Sequence, residues 1–113
     1  MSYKGMKPKF EGLLPADGDI IAFIDCELIN WLSFQIELGI SGPTPNVTVT
    51  IEESNKNEPI SFKGTTQTKN YTTAGNTNDI LFISQATSRF YRVKITFSAG
   101  TVGSWEVTVS GKG

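Results

Sequence analysis

"SRFYRVKITFSAGTVGSWEVTVSG", Ser88 to Gly111, alternates apolar and polar residues more regularly than any other part of the chain. Tyr91, Val93, Ile95 and Phe97 share one parity with Arg92, Lys94 and Thr96 between them. Beyond "SAGTVG", Trp105, Val107 and Val109 alternate with Glu106, Thr108 and Ser110. A period of two places one set on a buried sheet face and the other toward water. The spacing predicts two strands joined as a hairpin, with Gly100 and Gly103 supplying positive φ in the turn. Across that hairpin Arg92 or Lys94 is expected to pair with Glu106.

Working outward, the same period recurs. In "FIDCELINWLSFQIEL", residues 23–38, Ile24, Cys26 and Leu28, then Leu32, Phe34, Ile36 and Leu38, share a parity, which predicts strands near 20–28 and 31–39. "GPTPNVTVTIEES" opens with a proline-rich turn and continues as a strand with Val47, Val49 and Ile51 facing inward. A short edge strand is expected at Ile60–Lys63. The polar stretch "GTTQTKNYTTAGNTND", residues 64–79, reads as one long loop. "ILFIS", residues 80–84, is almost continuously apolar and reads as a strand covered on both faces. No segment sustains a helical period. The expected fold is all-β: an antiparallel β-sandwich, jelly-roll-like or immunoglobulin-like, of about seven to eight strands.

Composition narrows the function. The 113 residues suit one domain, with ten basic against eleven acidic residues and a net charge of -1. No global field draws the chain to nucleic acid or to a membrane, and neither is expected as a partner. The single cysteine, Cys26, reads as a small buried hydrophobe in a reducing compartment. No apolar run is long enough to span a bilayer, and "MSYKGMKPKFEG" lacks the apolar centre of an export signal.

The chain has no histidine, which removes Ser-His-Asp and Cys-His catalysis, histidine-ligated zinc and the commonest general base. Asp25, Glu27, Glu37, Glu52, Glu53 and Glu106 occupy outward strand positions and read as a solvated face that resists edge pairing. "ADGD", residues 16–19, lacks the ligand spacing of a calcium loop and reads as a turn. No Walker or dinucleotide glycine motif occurs. The expectation is therefore a non-enzyme, with no catalytic residues, no metal site and no cofactor. Asn46-Val47-Thr48 and Asn70-Tyr71-Thr72 match glycosylation triplets by form and read as coincidence in a chain rich in Asn and Thr.

Two regions have the character of contact surfaces. Residues 1–18 hold Lys4, Lys7 and Lys9 together with Tyr3, Met6 and Phe10 and show no strand period. They read as an extended arm ahead of a sandwich domain over 19–113, with Tyr3, Lys4, Lys7, Lys9 and Phe10 as candidate partner contacts. Trp31, on the outward parity of its strand, and Tyr71, in the polar stretch, are candidate aromatics for stacking on sugar or for an interface.

The succession "FIDCELINWLSFQIEL", "NVTVTIEESNKNEP" and "FYRVKITFSAGTVGSWEVTVSG" resembles a β-sandwich module of structural proteins in tailed bacteriophages. Gln35 matches a glutamine of its "slsvQl" strand, Glu53, Ser54 and Asn55 match the start of an "E-SnDG" turn, and Arg89 to Val93 with Gly100, Thr101 and Val107 match its closing hairpin. "NKNEP" departs from "NDG", and the tryptophan that follows that turn in the module is absent here. The resemblance implies a non-enzymatic virion protein, a small capsid-decoration or accessory subunit, assembled in the host cytoplasm and acting as a homo-oligomer against other virion proteins. The alternative is a carbohydrate-binding or receptor-attachment module, with glycan as its partner.

Overall fold

The computed structural model describes residues 9–12, 20–25, 30–56 and 58–112. Among them are six strands: β1 (Lys9–Gly12), β2 (Ile20–Asp25), β3 (Trp31–Ser54), β4 (Lys63–Tyr71), β5 (Gly75–Ile83) and β6 (Phe90–Lys112). No α-helix occurs among the described residues.

The two long strands organise everything else. β3 and β6 run antiparallel over their whole lengths, from Trp31 opposite Lys112 to Ser54 opposite Phe90. The expected hairpin within Ser88–Gly111 is therefore absent: residues 90–97 and 105–112 lie end to end in one strand, and each half finds its partner on β3. Alternation was correctly read, but period two is silent about which strand pairs with which. Arg92 accordingly meets Glu52 of β3, with Nε 2.6 Å from Oε1, and not Glu106.

Both long strands bend at the same height. The register shifts between Ser41 and Asn46, where "GPTP" of β3 stands against the single residue Gly100 of β6, and again between Asn46 and Val47. Gly42 and Gly100 adopt positive φ, 122° and 85°. A Cβ on Gly100 would stand 2.8 Å from Cβ of Pro45 and 2.9 Å from the carbonyl oxygen of Ser41, so only glycine lets the two chains cross this closely. Gly103, expected to share that conformation, does not take positive φ.

The bend folds one hydrogen-bonded sheet into a two-layered antiparallel sandwich. The first layer holds β1, the C-terminal half of β6, the N-terminal half of β3, and β5. The second holds β2, the N-terminal half of β6, the C-terminal half of β3, and β4. That gives eight strand segments. Leu32, Phe34, Ile36, Leu38, Val107 and Val109 of the first layer and Val47, Val49, Ile51, Tyr91, Val93 and Ile95 of the second form one cluster, none more than 2% exposed. These inward positions are the ones the alternation predicted.

Several expectations change. Pro59–Ser61 form a 3-10 turn in place of an edge strand at 60–63, because Pro59 offers no N–H to a ladder. The segment read as a loop over 64–79 is mostly strand, split between β4 and β5 around residues 72–74. Thr68 and Asn70 of this segment bond polar side chains of the neighbouring β3: the Thr50 and Thr68 hydroxyls are 3.1 Å apart, and the Asn70 side-chain amide donates to Asn46 at 2.8 Å and to Thr48 at 2.8 Å. The "ILFIS" strand is covered on one face only. Leu81 and Ile83 pack on the core, while Ile80 and Phe82 are 59% and 47% exposed. Lys9–Gly12, inside the segment read as an arm, form β1 against β6. Cys26 and residues 16–19 lie outside the described residues.

Candidate functional site

The outward face of the first layer is assembled from alternate residues of β5, β3 and β6. Two successive rows carry most of its polar groups: Asn76, Gly39 and Ser104, then Asn78, Glu37 and Glu106. The register slips by one residue after Gly39, because Gly39 pairs with Ser104 but Ile40 pairs with Val102. Such a bulge on β6 splays the face locally. A hollow of about 290 Å³ lies there, lined by Glu37, Leu38, Gly39, Asn76, Ser104, Trp105 and Glu106.

Gly39 forms its floor. A Cβ at this position would come within 2.7 Å of the Ser104 hydroxyl oxygen and 3.6 Å of the Asn76 side-chain oxygen, so the missing side chain is what leaves the space open. Asn76 and Ser104 are exposed, and Glu37 and Glu106 are half-buried. Beside the hollow, the Gln35 side-chain amide donates to the Asn78 side-chain oxygen at 3.1 Å, which orders the next row of the face. Trp105, opposite Leu38, is partly buried against the core, and its indole N–H finds no partner among the described residues. Two carboxylates, an amide and a hydroxyl converge around an empty floor with an indole beside it, and the described charged side chains of this outer face, Glu37 and Glu106, are both acidic. The arrangement suits a neutral ligand with many hydroxyl groups.

A second concavity, about 510 Å³, opens between the free edges of β4 and β5 and is lined by Glu53, Gly64–Gln67, Phe82–Gln85, Thr87 and Tyr91. Several of its polar groups are occupied by hydrogen bonds within the protein. The Tyr91 hydroxyl accepts from the backbone N–H of Thr87 at 3.1 Å and of Ser88 at 3.2 Å and donates to Glu53 at 3.3 Å, and the Ser88 hydroxyl donates to the same Glu53 oxygen at 2.9 Å. Gln67 accepts the edge N–H of Phe82 at 3.3 Å. This network ties residues 84–89 to the end of the sandwich. Glu53 belongs to it and not to a solvated outer face.

The structure separates the two aromatics singled out in the sequence. Trp31 is half-buried at the start of β3 on the outer face, eight residues and about 26 Å of strand from Gly39. Tyr71 faces the other way, between the layers, opposite the buried Val47. Its hydroxyl donates to Asp79 of β5 at 2.5 Å and so joins the edges of the two layers. Burial, and then the hydrogen bond and charge of Asp79, hold the Tyr71 phenol well above its ordinary range, with a Thr77 hydrogen bond opposing them. Of the candidate partner contacts, Lys9 and Phe10 have their backbones paired to Thr108 and Val107 of the chain's own β6, and Tyr3, Lys4 and Lys7 lie outside the described residues. Among the described residues no three acidic or cysteine side chains are grouped to hold a metal ion.

Sequence reading missed the hollow for definite reasons. Asn76 and Asn78 fell in the stretch taken as a loop, Glu37 and Glu106 were read as scattered solvated acids, and Gly39 gave no alternation signal. The one usable hint was a glycine interrupting "FQIELGIS".

No family model matches the chain, and no curated protein matches it in sequence. Among solved structures it is similar to one described as "CBM4 structure and function", a carbohydrate-binding module, with a TM-score of 0.57 at 16% identity over 98% of this chain and 76% of the other. That likeness is one of fold, and it agrees with the two-layered antiparallel sandwich described above.

Proposed function

We propose that this protein is a non-catalytic carbohydrate-binding module, and that the hollow floored by Gly39 is where it meets a neutral glycan. The observation that carries the reading is the convergence of Glu37, Asn76, Ser104 and Glu106 around a floor kept empty by glycine. Sugar hydroxyls both donate and accept. Carboxylates accept hydrogen bonds from them, while amides and hydroxyls both donate and accept, and each well-formed bond to a charged group contributes about 1.5–3 kcal/mol. The two glutamates disfavour uronates and sulfated sugars by like-charge repulsion. The module-like fold of the similar structure supports the same reading.

Binding to an array of neutral polysaccharides, followed by calorimetry on the best ligand, tests this. Asn76→Ala and Glu37→Gln are expected to weaken binding tenfold or more, equivalent to about 1.4 kcal/mol, whereas Trp31→Ala, at the far end of the face, leaves it within about twofold. Absence of binding to any neutral glycan, or unchanged affinity in both hollow variants, refutes the proposal. A second reading, a small virion accessory subunit working through protein contacts, has one observation in its favour: exposed Ile60, Ile80 and Phe82. Co-sedimentation with phage particles tests it.

A further inference from the structure

We propose that a second sugar subsite adjoins the hollow, in the concavity formed by the turn between β4 and β5, and that the ligand is an oligosaccharide long enough to occupy both; this rests on the glycan reading of the hollow. The second concavity, about 370 Å³, is lined by residues 70–77. Asn76 lines both spaces. From Ser104 of β6 across Gly39 of β3 to Asn76 of β5 is two strand spacings, about 10 Å, and the second concavity begins where that row ends. A single sugar ring cannot fill both.

The backbone leaves the way between them open. The residue before Asn76 is Gly75, with φ 137°, and a Cβ there would meet no atom within 4 Å. That conformation calls for glycine, so no side chain rises between the two spaces at this point. The edge of β5 also supplies polar groups along the route. Phe82 directs its N–H away from β3, to the Gln67 side-chain oxygen at 3.3 Å. Both backbone groups of a strand residue lie on one side and alternate along the strand, so Ile80, Asn78 and Asn76 turn their N–H and C=O toward the same edge.

The side chains of the second concavity suit a neutral sugar. Thr72 and Thr73 are exposed, and their hydroxyls both donate and accept. Tyr71 is half-buried, and its hydroxyl donates to Asp79 at 2.5 Å, which fixes the ring before any ligand arrives. A fixed aromatic surface matches the apolar C–H side of a pyranose and loses little entropy on contact. The described residues that line this space are all uncharged, so it adds hydrogen bonds and apolar contact without changing the preference for a neutral ligand.

Calorimetry with cellobiose, cellotriose, cellotetraose and cellohexaose, and with the corresponding mannose series, tests this. In the series it recognises, wild type is expected to bind the tetramer about tenfold or more tighter than the dimer. Thr72→Ala combined with Thr73→Ala removes the two hydroxyls, and Ala74→Leu fills the concavity from an exposed position of the turn. Each should reduce the gain from dimer to tetramer to about twofold. Equal affinity for dimer and tetramer in wild type, or a gain that survives in both variants, overturns the second subsite; if Glu37→Gln still weakens the dimer, the hollow stands without it. Binding of no oligomer in either series, or a dimer affinity untouched by Glu37→Gln, overturns the hollow and the subsite together.

Discussion

Replacing Tyr71 with phenylalanine removes one oxygen and leaves the ring that packs between the layers. The lost hydroxyl donates to Asp79 at 2.5 Å and is the link between the free edges of β4 and β5 at this height. A hydrogen bond to a charged acceptor contributes about 1.5–3 kcal/mol when buried, and half-exposure of Tyr71 reduces that to about 1–2 kcal/mol. For a domain of this size the melting temperature should fall by roughly 5–10 °C at pH 7. The pH dependence is more diagnostic. Burial and Asp79 raise the phenol's pKa in the folded state, so the folded protein favours the neutral form. The tyrosine's contribution is complete below its ordinary value near 10, and fades above it as the unfolded chain ionises and the folded one does not. Urea unfolding followed by far-UV circular dichroism at pH 7, 9, 10 and 11 measures the gap between wild type and Tyr71→Phe. Lysine titration is common to both and cancels. The gap should be constant to about pH 9 and close by about 1 kcal/mol at pH 11. Asp79→Asn, which keeps an acceptor without the charge, should fall between the two proteins at neutral pH. A gap below about 0.3 kcal/mol at pH 7, or one unchanged at pH 11, refutes an inter-layer clasp at Tyr71.

Other substitutions probe different parts of the molecule. Gly39→Ala should leave the unfolding free energy within about 1 kcal/mol, since the Ser104 hydroxyl can rotate away, while raising the glycan dissociation constant at least tenfold in calorimetry. Gly100→Ala meets Pro45 and the backbone of Ser41 at positive φ, and should cost about 2 kcal/mol or more in urea unfolding. Arg92→Ala removes a guanidinium that both pairs with Glu52 and covers Phe62. A loss of about 2–4 kcal/mol is expected, with a coupling to Glu52→Gln above 0.5 kcal/mol in a double-mutant cycle. Phe34→Ala, fully buried, should cost about 3–5 kcal/mol by melting.

What the sequence disclosed and what it withheld divide along a physical line. Side-chain alternation is local, so the inward parity of Leu32 to Leu38, Val47 to Ile51 and Tyr91 to Ile95 could be read residue by residue, and so could the class of fold. Pairing is not local. Nothing in "SAGTVG" distinguishes a chain that doubles back from one that bends and continues, because glycine permits both. The opposing "GPTP" of β3, about sixty residues earlier, decides the matter by bending at the same height. Polar composition misled for a related reason: Thr and Asn over 64–79 suit a loop, yet a two-layered sandwich has outer strands whose outward faces need to be polar and whose inward faces are only partly covered. The hollow depends on both kinds of non-local information, since its residues come from β3, β5 and β6 and meet only in register.

The same geometric device makes the sandwich and opens the hollow. Two strands of 24 and 23 residues cannot stay flat and also bury a core, so they must turn over together, and the turn consumes register. The first slip falls immediately after Gly39, two residues before the glycine and proline crossing, and leaves β6 with the extra residue Gly103. Ser104 and Trp105 are the last residues of β6 in register before the slip, opposite Gly39 and Leu38, while β5 ends its pairing one residue further on, at Gly75 opposite Ile40. The rigidity that holds Glu37, Asn76 and Ser104 in place therefore comes from the core-lining segments on either side of the bend and not from a mobile loop. It follows that relaxing the crossing should blunt the site at a distance. Gly100→Ala, which touches no residue of the hollow, is expected to weaken glycan binding in addition to its cost in stability. The variant must be assayed at a temperature where it is still fully folded. Full affinity under that condition would show that the hollow is shaped by its own row of residues alone, and that the bend serves only the core.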